Sequence, residues 1–124
     1  MFKNKSLVKK ARKLRIRKRI RKKIAGTPER PRVCVYKSNR YIYSQAIDDQ
    51  NQAVLASAST VEKEFREKNK KTKTIAASSA LGSILAERLK KKKVKEVILD
   101  RGTYPYHGRV KALAEALRKG GLIF

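Results

Sequence analysis

The sequence predicts a small α/β fold: a mixed β-sheet, built from a three-stranded antiparallel meander and one parallel strand in the order βββαβα, with helices packed on it and a basic helical arm in front. Three observations lead there. Residues 32–59 hold three runs of β-formers separated by turn residues. Residues 74–90 place apolar side chains at helical spacing, and a short continuous apolar run follows them. Residues 110–117 repeat the helical spacing before a Gly-Gly stop.

The arm comes first, over residues 1–26. From Lys3 to Ile24 it contains good helix formers and no Gly or Pro before Gly26, which is placed to cap its end. Leu7, Ala11 and Leu14 share one face, whereas Ile16, Ile20 and Ile24 lie nearly opposite at ~100° per residue. Such a helix has little to bury and repels itself, so it is expected to fray when free and to order on phosphates. A solubilising tail and a helix lying on anionic lipid are the competing readings. The broken stripe, with no Trp or Phe after Phe2, weighs against lipid. Thr27-Pro28-Glu29-Arg30-Pro31 then forms a stiff joint over 27–31, and 32–124 reads as a single α/β domain.

Arg32–Lys37 is the first strand and Ser38-Asn39 its turn; Tyr41–Ile47 is the second, and Ala53–Ser59 the third after the turn at 48–51. Alternation puts Tyr41, Tyr43 and Gln45 on one face and Ile42, Ser44 and Ala46 on the other. Ser59-Thr60-Val61-Glu62 has capping-box spacing, which predicts a short helix through Phe65. The lysine-rich stretch 67–73 reads as a solvated loop. Ala77, Leu81, Ile84, Leu85 and Leu89 then share one helical face, although Gly82 within it costs ~1 kcal/mol relative to Ala. Val97-Ile98-Leu99 is apolar on consecutive positions, the pattern of a parallel strand buried on both faces. Val110, Leu113, Ala114 and Leu117 stripe the last helix.

Charge narrows the function. The chain of 124 residues carries 34 Lys+Arg against 10 Asp+Glu, a formal charge of +24. Residues 1–32 hold 15 basic side chains against Glu29 alone, a net of +14; residues 33–124 hold 19 against 9, a net of +10. A domain this basic requires an anionic partner, most commonly nucleic acid. No apolar run reaches the ~20 residues of a membrane span, and no secretory signal is expected in the basic first thirty residues. Cys34 alone offers neither an internal disulfide nor a zinc site, which fits a reducing, cytosolic setting.

An enzyme requires a constellation. Asp48, Asp49 and Asp100 invite comparison with a metal nuclease, yet they sit amid strong positive charge, and no HxxE, CxxC or P-loop spacing occurs. No catalysis, cofactor or small-molecule substrate is expected. The segment Asp100-Arg-Gly-Thr-Tyr-Pro-Tyr-His-Gly-Arg-Val110 is more informative. Its glycines let backbone approach phosphate, its tyrosines and histidine suit stacking on unpaired bases, and Arg101 and Arg109 suit phosphates or base edges. A tight loop whose tyrosines close over the core is the competing structural reading. A nucleoid-type DNA binder would share the charge, but not a Tyr/His loop suited to unpaired bases.

Those residues carry a resemblance. Ser38-Asn-Arg-Tyr-Ile-Tyr-Ser-Gln, Leu55-Ala-Ser-Ala-Ser-Thr60, Leu85-Ala-Glu-Arg, Asp100-Arg-Gly…Tyr106-His-Gly-Arg-Val and the closing Gly120-Gly-Leu-Ile-Phe124 resemble the bacterial large-subunit ribosomal protein eighteen family, in order along nearly the whole chain. The resemblance implies a structural constituent of the large subunit that binds 5S rRNA and helps attach it to 23S rRNA in the central protuberance, beside neighbouring ribosomal proteins. Lys9, Lys10, Arg12, Arg15, Arg17 and Arg19 of the arm, with Arg21 and Lys22, would then meet phosphates of both RNAs, as would Arg30 and Arg32. Ser38, Asn39, Arg40 and Tyr41 would lie at the 5S surface. So would Arg101, Gly102, Tyr106, His107, Gly108 and Arg109. The strand face of Tyr43 and Gln45, if the helices cover Ile42, is left to solvent or to the RNA partner. Tyr104-Pro105 departs from the family pattern, which commonly has a basic residue there.

Overall fold

A computed structural model describes residues 5–102 and 104–124, and within the first helix the side chains of residues 8–19. The elements are α1 (Lys5–Lys23), β1 (Arg32–Lys37), β2 (Ile42–Asp48), β3 (Ala53–Ser59), α2 (Lys63–Lys68), α3 (Ile75–Lys91), β4 (Ile98–Asp100) and α4 (Gly108–Lys119). The sheet order is β3-β2-β1-β4. β1–β2 and β2–β3 pair antiparallel, while β4 joins β1 in parallel, as the helical crossover requires. The mixed sheet expected from the sequence is therefore present.

Period-two alternation decides which sheet face the helices cover. Val33 and Val35 of β1, and Ile42, Ser44 and Ala46 of β2, are buried against α3 and α4. Ala77, Leu81, Leu85 and Leu89 meet them from α3, and Val110, Leu113 and Leu117 from α4. Gly82 has a structural reason that its cost in helix propensity conceals. A Cβ built there would lie 2.7 Å from both the Ala116 Cβ and the Leu113 carbonyl oxygen. The bare backbone of α3 is what lets α4 approach so closely.

Five local expectations need correction. The capping box at Ser59–Glu62 does not form, because Ser59 is still paired with Tyr43 in the sheet and the Glu62 carboxylate is held by Arg88 at 2.8 and 2.9 Å. Glu62 occupies the N-cap of α2 without a side-chain cap bond, and the helix runs on to Lys68 rather than stopping near Phe65. β4 pairs in parallel as expected but sits at the sheet edge, so Ile98 and Leu99 are half-buried rather than enclosed on both faces. Gly26 does not cap α1, which ends at Lys23; its N–H donates instead to Asp49 Oδ2 at 2.6 Å. The α3 boundary moves by one residue, with the Thr74 hydroxyl as N-cap accepting from Ala77 N–H.

Candidate nucleic-acid interface

The sheet face turned away from α3 and α4 exposes Tyr36 and Gln45, with Tyr43 half-buried between them. The Tyr36 and Tyr43 rings are 5.9 Å apart at 43°, a tilted pair on an open surface. With Cys34, Ser38 and Gln45 they line a cleft of about 520 Å³. Arg17 of α1 shares a neighbouring cleft with Tyr36, Asp100, Gly102 and Tyr104. One arm cation is thus brought to the open face. Lys9, Lys10, Arg12, Arg15 and Arg19 are exposed along α1, and Arg30 is exposed at the joint. The side chains of Arg21 and Lys22 lie outside the described residues.

The β1–β2 hairpin is closed by Ser38, whose N–H donates to the Tyr41 carbonyl at 2.9 Å while its hydroxyl accepts from Tyr41 N–H at 3.1 Å. That leaves Asn39 and Arg40 exposed at the tip. The segment after β4 is anchored at both ends. Asp100 Oδ1 accepts from Gly102 N–H at 2.9 Å, so Asp100 caps the loop. Gly102 at φ 58° and Gly108 at φ 56° take left-handed turns that an L side chain would strain. Tyr104 folds inward: its hydroxyl accepts from Lys37 N–H at 3.1 Å, and the Lys37 ammonium lies 4.4 Å from its ring centre. Arg101 closes over the same residue, donating to the Tyr104 carbonyl at 2.6 Å. Tyr106 and His107 face outward, with the Tyr106 hydroxyl accepting from Arg118 at 3.2 Å. The two sequence readings of the loop divide between its tyrosines: Tyr104 closes the structure and Tyr106 is presented.

The hairpin and the loop meet at one end of the molecule. Lys37 adjoins Arg109, and burial together with that neighbouring charge holds its ammonium below the usual lysine range. Lys37 was not among the residues singled out from sequence. A lysine ending a strand carries no signal of a cation 72 residues further on.

Arg32 takes a different place from the one the resemblance implied. It is 4% exposed, with Nε and Nη2 each 3.0 Å from the Asp49 carboxylate and Nη1 2.8 Å from Asp100 Oδ2. Hydrogen bonding to Asp49 raises its already high pKa against the opposing effect of burial. Asp48 is spent on its own turn, accepting from Gln50 N–H at 3.0 Å and Asn51 Nδ2 at 2.7 Å. The carboxylates that prompted the nuclease comparison therefore answer to Arg32 and to backbone.

Exposed cations, outward aromatic side chains and two glycine turns, gathered where nearby acids are internally engaged, define a class: small basic α/β proteins built to lie against nucleic acid. Residues 7–124 match the family described as ribosomal L18 of archaea, bacteria, mitochondria and chloroplast. The chain is 55% identical over 107 residues to large ribosomal subunit protein uL18 of Caldicellulosiruptor saccharolyticus, covering 86% of each chain. It is 51% identical over 116 residues to the protein of that name from Thermotoga petrophila, covering 94% of this chain and 95% of the other. With that from Dictyoglomus turgidum it shares 55% over 106 residues, 86% of this chain and 87% of the relative. The chain belongs to the ribosomal L18 family, and so is a structural component of the large ribosomal subunit rather than an enzyme. Among the described residues, no helix is long and apolar enough to cross a membrane.

Proposed function

We propose that this protein binds 5S rRNA and helps attach it to 23S rRNA in the central protuberance of cytoplasmic ribosomes, among neighbouring large-subunit proteins. The observation that carries the reading is the meeting of the 38–41 hairpin with the 101–109 loop, joined by the Tyr104 hydroxyl and Lys37 N–H. Two patches distant in sequence become one surface, with Asn39, Arg40, Tyr106 and His107 exposed on it. A rigid patch of donors and aromatic rings suits structured RNA with unpaired bases. The arm, residues 1–26, supplies phosphate contacts with little base preference and reaches both RNAs. Arg32 is left out of the contact set because its donors are occupied.

Competition binding at about 150 mM salt tests this, with labelled 5S rRNA against excess tRNA and duplex DNA. Retention of 5S rRNA is the expected result. Equal displacement by every polyanion overturns the reading and favours a nonspecific nucleic-acid binder.

A further inference from the structure

The lysine-rich loop between α2 and α3 is not the detached solvated segment its composition implies. The Thr72 hydroxyl donates to the Arg40 carbonyl at 2.7 Å, across 32 residues of sequence. Arg109 Nη1 donates to the Lys73 carbonyl at 3.4 Å, across 36 residues. Thr74 ends the loop as the N-cap of α3, and the Ser78 hydroxyl one turn later donates to the Arg109 carbonyl at 2.5 Å. The loop is therefore tied to the hairpin tip at one point and to the end of the 101–109 segment at another. Lys70, Lys71 and Lys73 are exposed beside both.

We infer that residues 70–73 form a third phosphate-binding element, which clamps the sugar-phosphate backbone of the same RNA that the hairpin and the 101–109 loop engage. The inference rests on the RNA-binding reading above. It adds a site, and it explains why a run of lysines is held by backbone bonds instead of left loose. A free loop of like charges would swing away from Arg40 and Arg109, since the three would repel one another. Here two bonds to backbone carbonyls hold the cations together against that repulsion. The carbonyls accept without adding negative charge, so the cluster stays unneutralised and open to an anion. Phosphodiester groups fit it: lysine acts as a point charge toward phosphate and needs no fixed geometry. The far end of α3 supplies an internal control. Lys92 and Lys93 are equally exposed, but a 17-residue helix places them ~25 Å away.

Lysine acetylation footprinting on the full-length protein, with and without 5S rRNA, reads the contact directly. Lys70, Lys71 and Lys73 are expected to be protected, with Lys92 and Lys93 less so. In parallel, K70A/K71A/K73A should lower the slope of log K against log salt by about 2–3, as loss of three phosphate contacts requires. Thr72→Val keeps every charge but frees the loop, and should weaken binding by about fivefold. Absence of protection at 70–73, or protection no greater than at Lys92 and Lys93, overturns the inference, as does an unchanged salt slope in the triple variant. If wild-type protein prefers 5S rRNA to tRNA while the loop fails these tests, this inference alone falls. If wild-type protein shows no such preference, the functional reading falls instead.

Discussion

Arg32 and Asp100 face each other across the parallel β1–β4 pair, with 2.8 Å between Nη1 and Oδ2. The same carboxylate caps Gly102, and the same guanidinium holds Asp49, which in turn receives the Gly26 N–H. One buried arginine thus links the joint behind the arm, the β2–β3 turn and the start of the 101–109 loop. Removing Asp100 takes away one of the two carboxylates that compensate the buried guanidinium and leaves Asp49 alone to hold it. With one charged hydrogen bond and the Gly102 cap lost, Asp100→Ala is expected to cost about 1–3 kcal/mol in urea unfolding. Its intrinsic RNA affinity, corrected for the fraction folded, should change less than that of Arg109→Ala.

Gly82→Ala separates propensity from packing. In an exposed helix the change would stabilise by ~1 kcal/mol. Here the new Cβ meets the Ala116 Cβ and the Leu113 carbonyl, each 2.7 Å from it. Overpacking of this kind costs ~1–3 kcal/mol, and much of the opposing surface is backbone that yields little. The variant should melt below wild type; a higher melting temperature would show that α3 and α4 separate freely.

These two cases mark what was legible in the sequence. Alternation and helical spacing placed three strands, α3 and α4, because each element buries one face and the period is written in its own residues. The glycine-rich, aromatic 101–109 segment was legible for the same local reason. What sequence missed depended on a partner from elsewhere. Ser59 and Glu62 looked like a capping box, but Tyr43 keeps Ser59 in the sheet and Arg88 takes the Glu62 carboxylate. Arg32 shares strand parity with the exposed Tyr36, yet Asp49 and Asp100 close over it. The loop at 70–73 looked idle because its ties run to Arg40 and Arg109.

Lys37 gives a pH signature. Its folded-state pKa lies below the usual 10.5, through burial first and Arg109 second. The charged form therefore costs stability below the folded pKa, and that penalty is relieved as pH rises through it toward 10.5. Arg109→Ala should move the Lys37 titration upward, part of the way to the ordinary value, when followed by NMR of the lysine side chain. Added RNA should move it up further, because phosphate favours the ammonium. No movement on Arg109→Ala would mean that burial alone sets the shift.

Arm and loop should fail in different ways. The α1 cations Lys9, Lys10, Arg12, Arg15 and Arg19 are exposed without shaped surroundings, so they read charge. Deleting residues 1–24 should weaken binding to all RNAs nearly equally. If the arm makes ~8 phosphate contacts, the slope of log K against log salt should fall by roughly 5–7. Tyr106 and Arg109 sit instead on an anchored loop, where Gly102 and Gly108 set the backbone and Ser78 holds the Arg109 carbonyl. Tyr106→Ala or Arg109→Ala should reduce preference for the cognate RNA by ~1–3 kcal/mol per contact, with a much smaller change in salt slope. Equal losses on cognate and random RNA in the loop variants would make both elements plain electrostatic anchors, and specificity would then have to come from the open Tyr36/Tyr43 face.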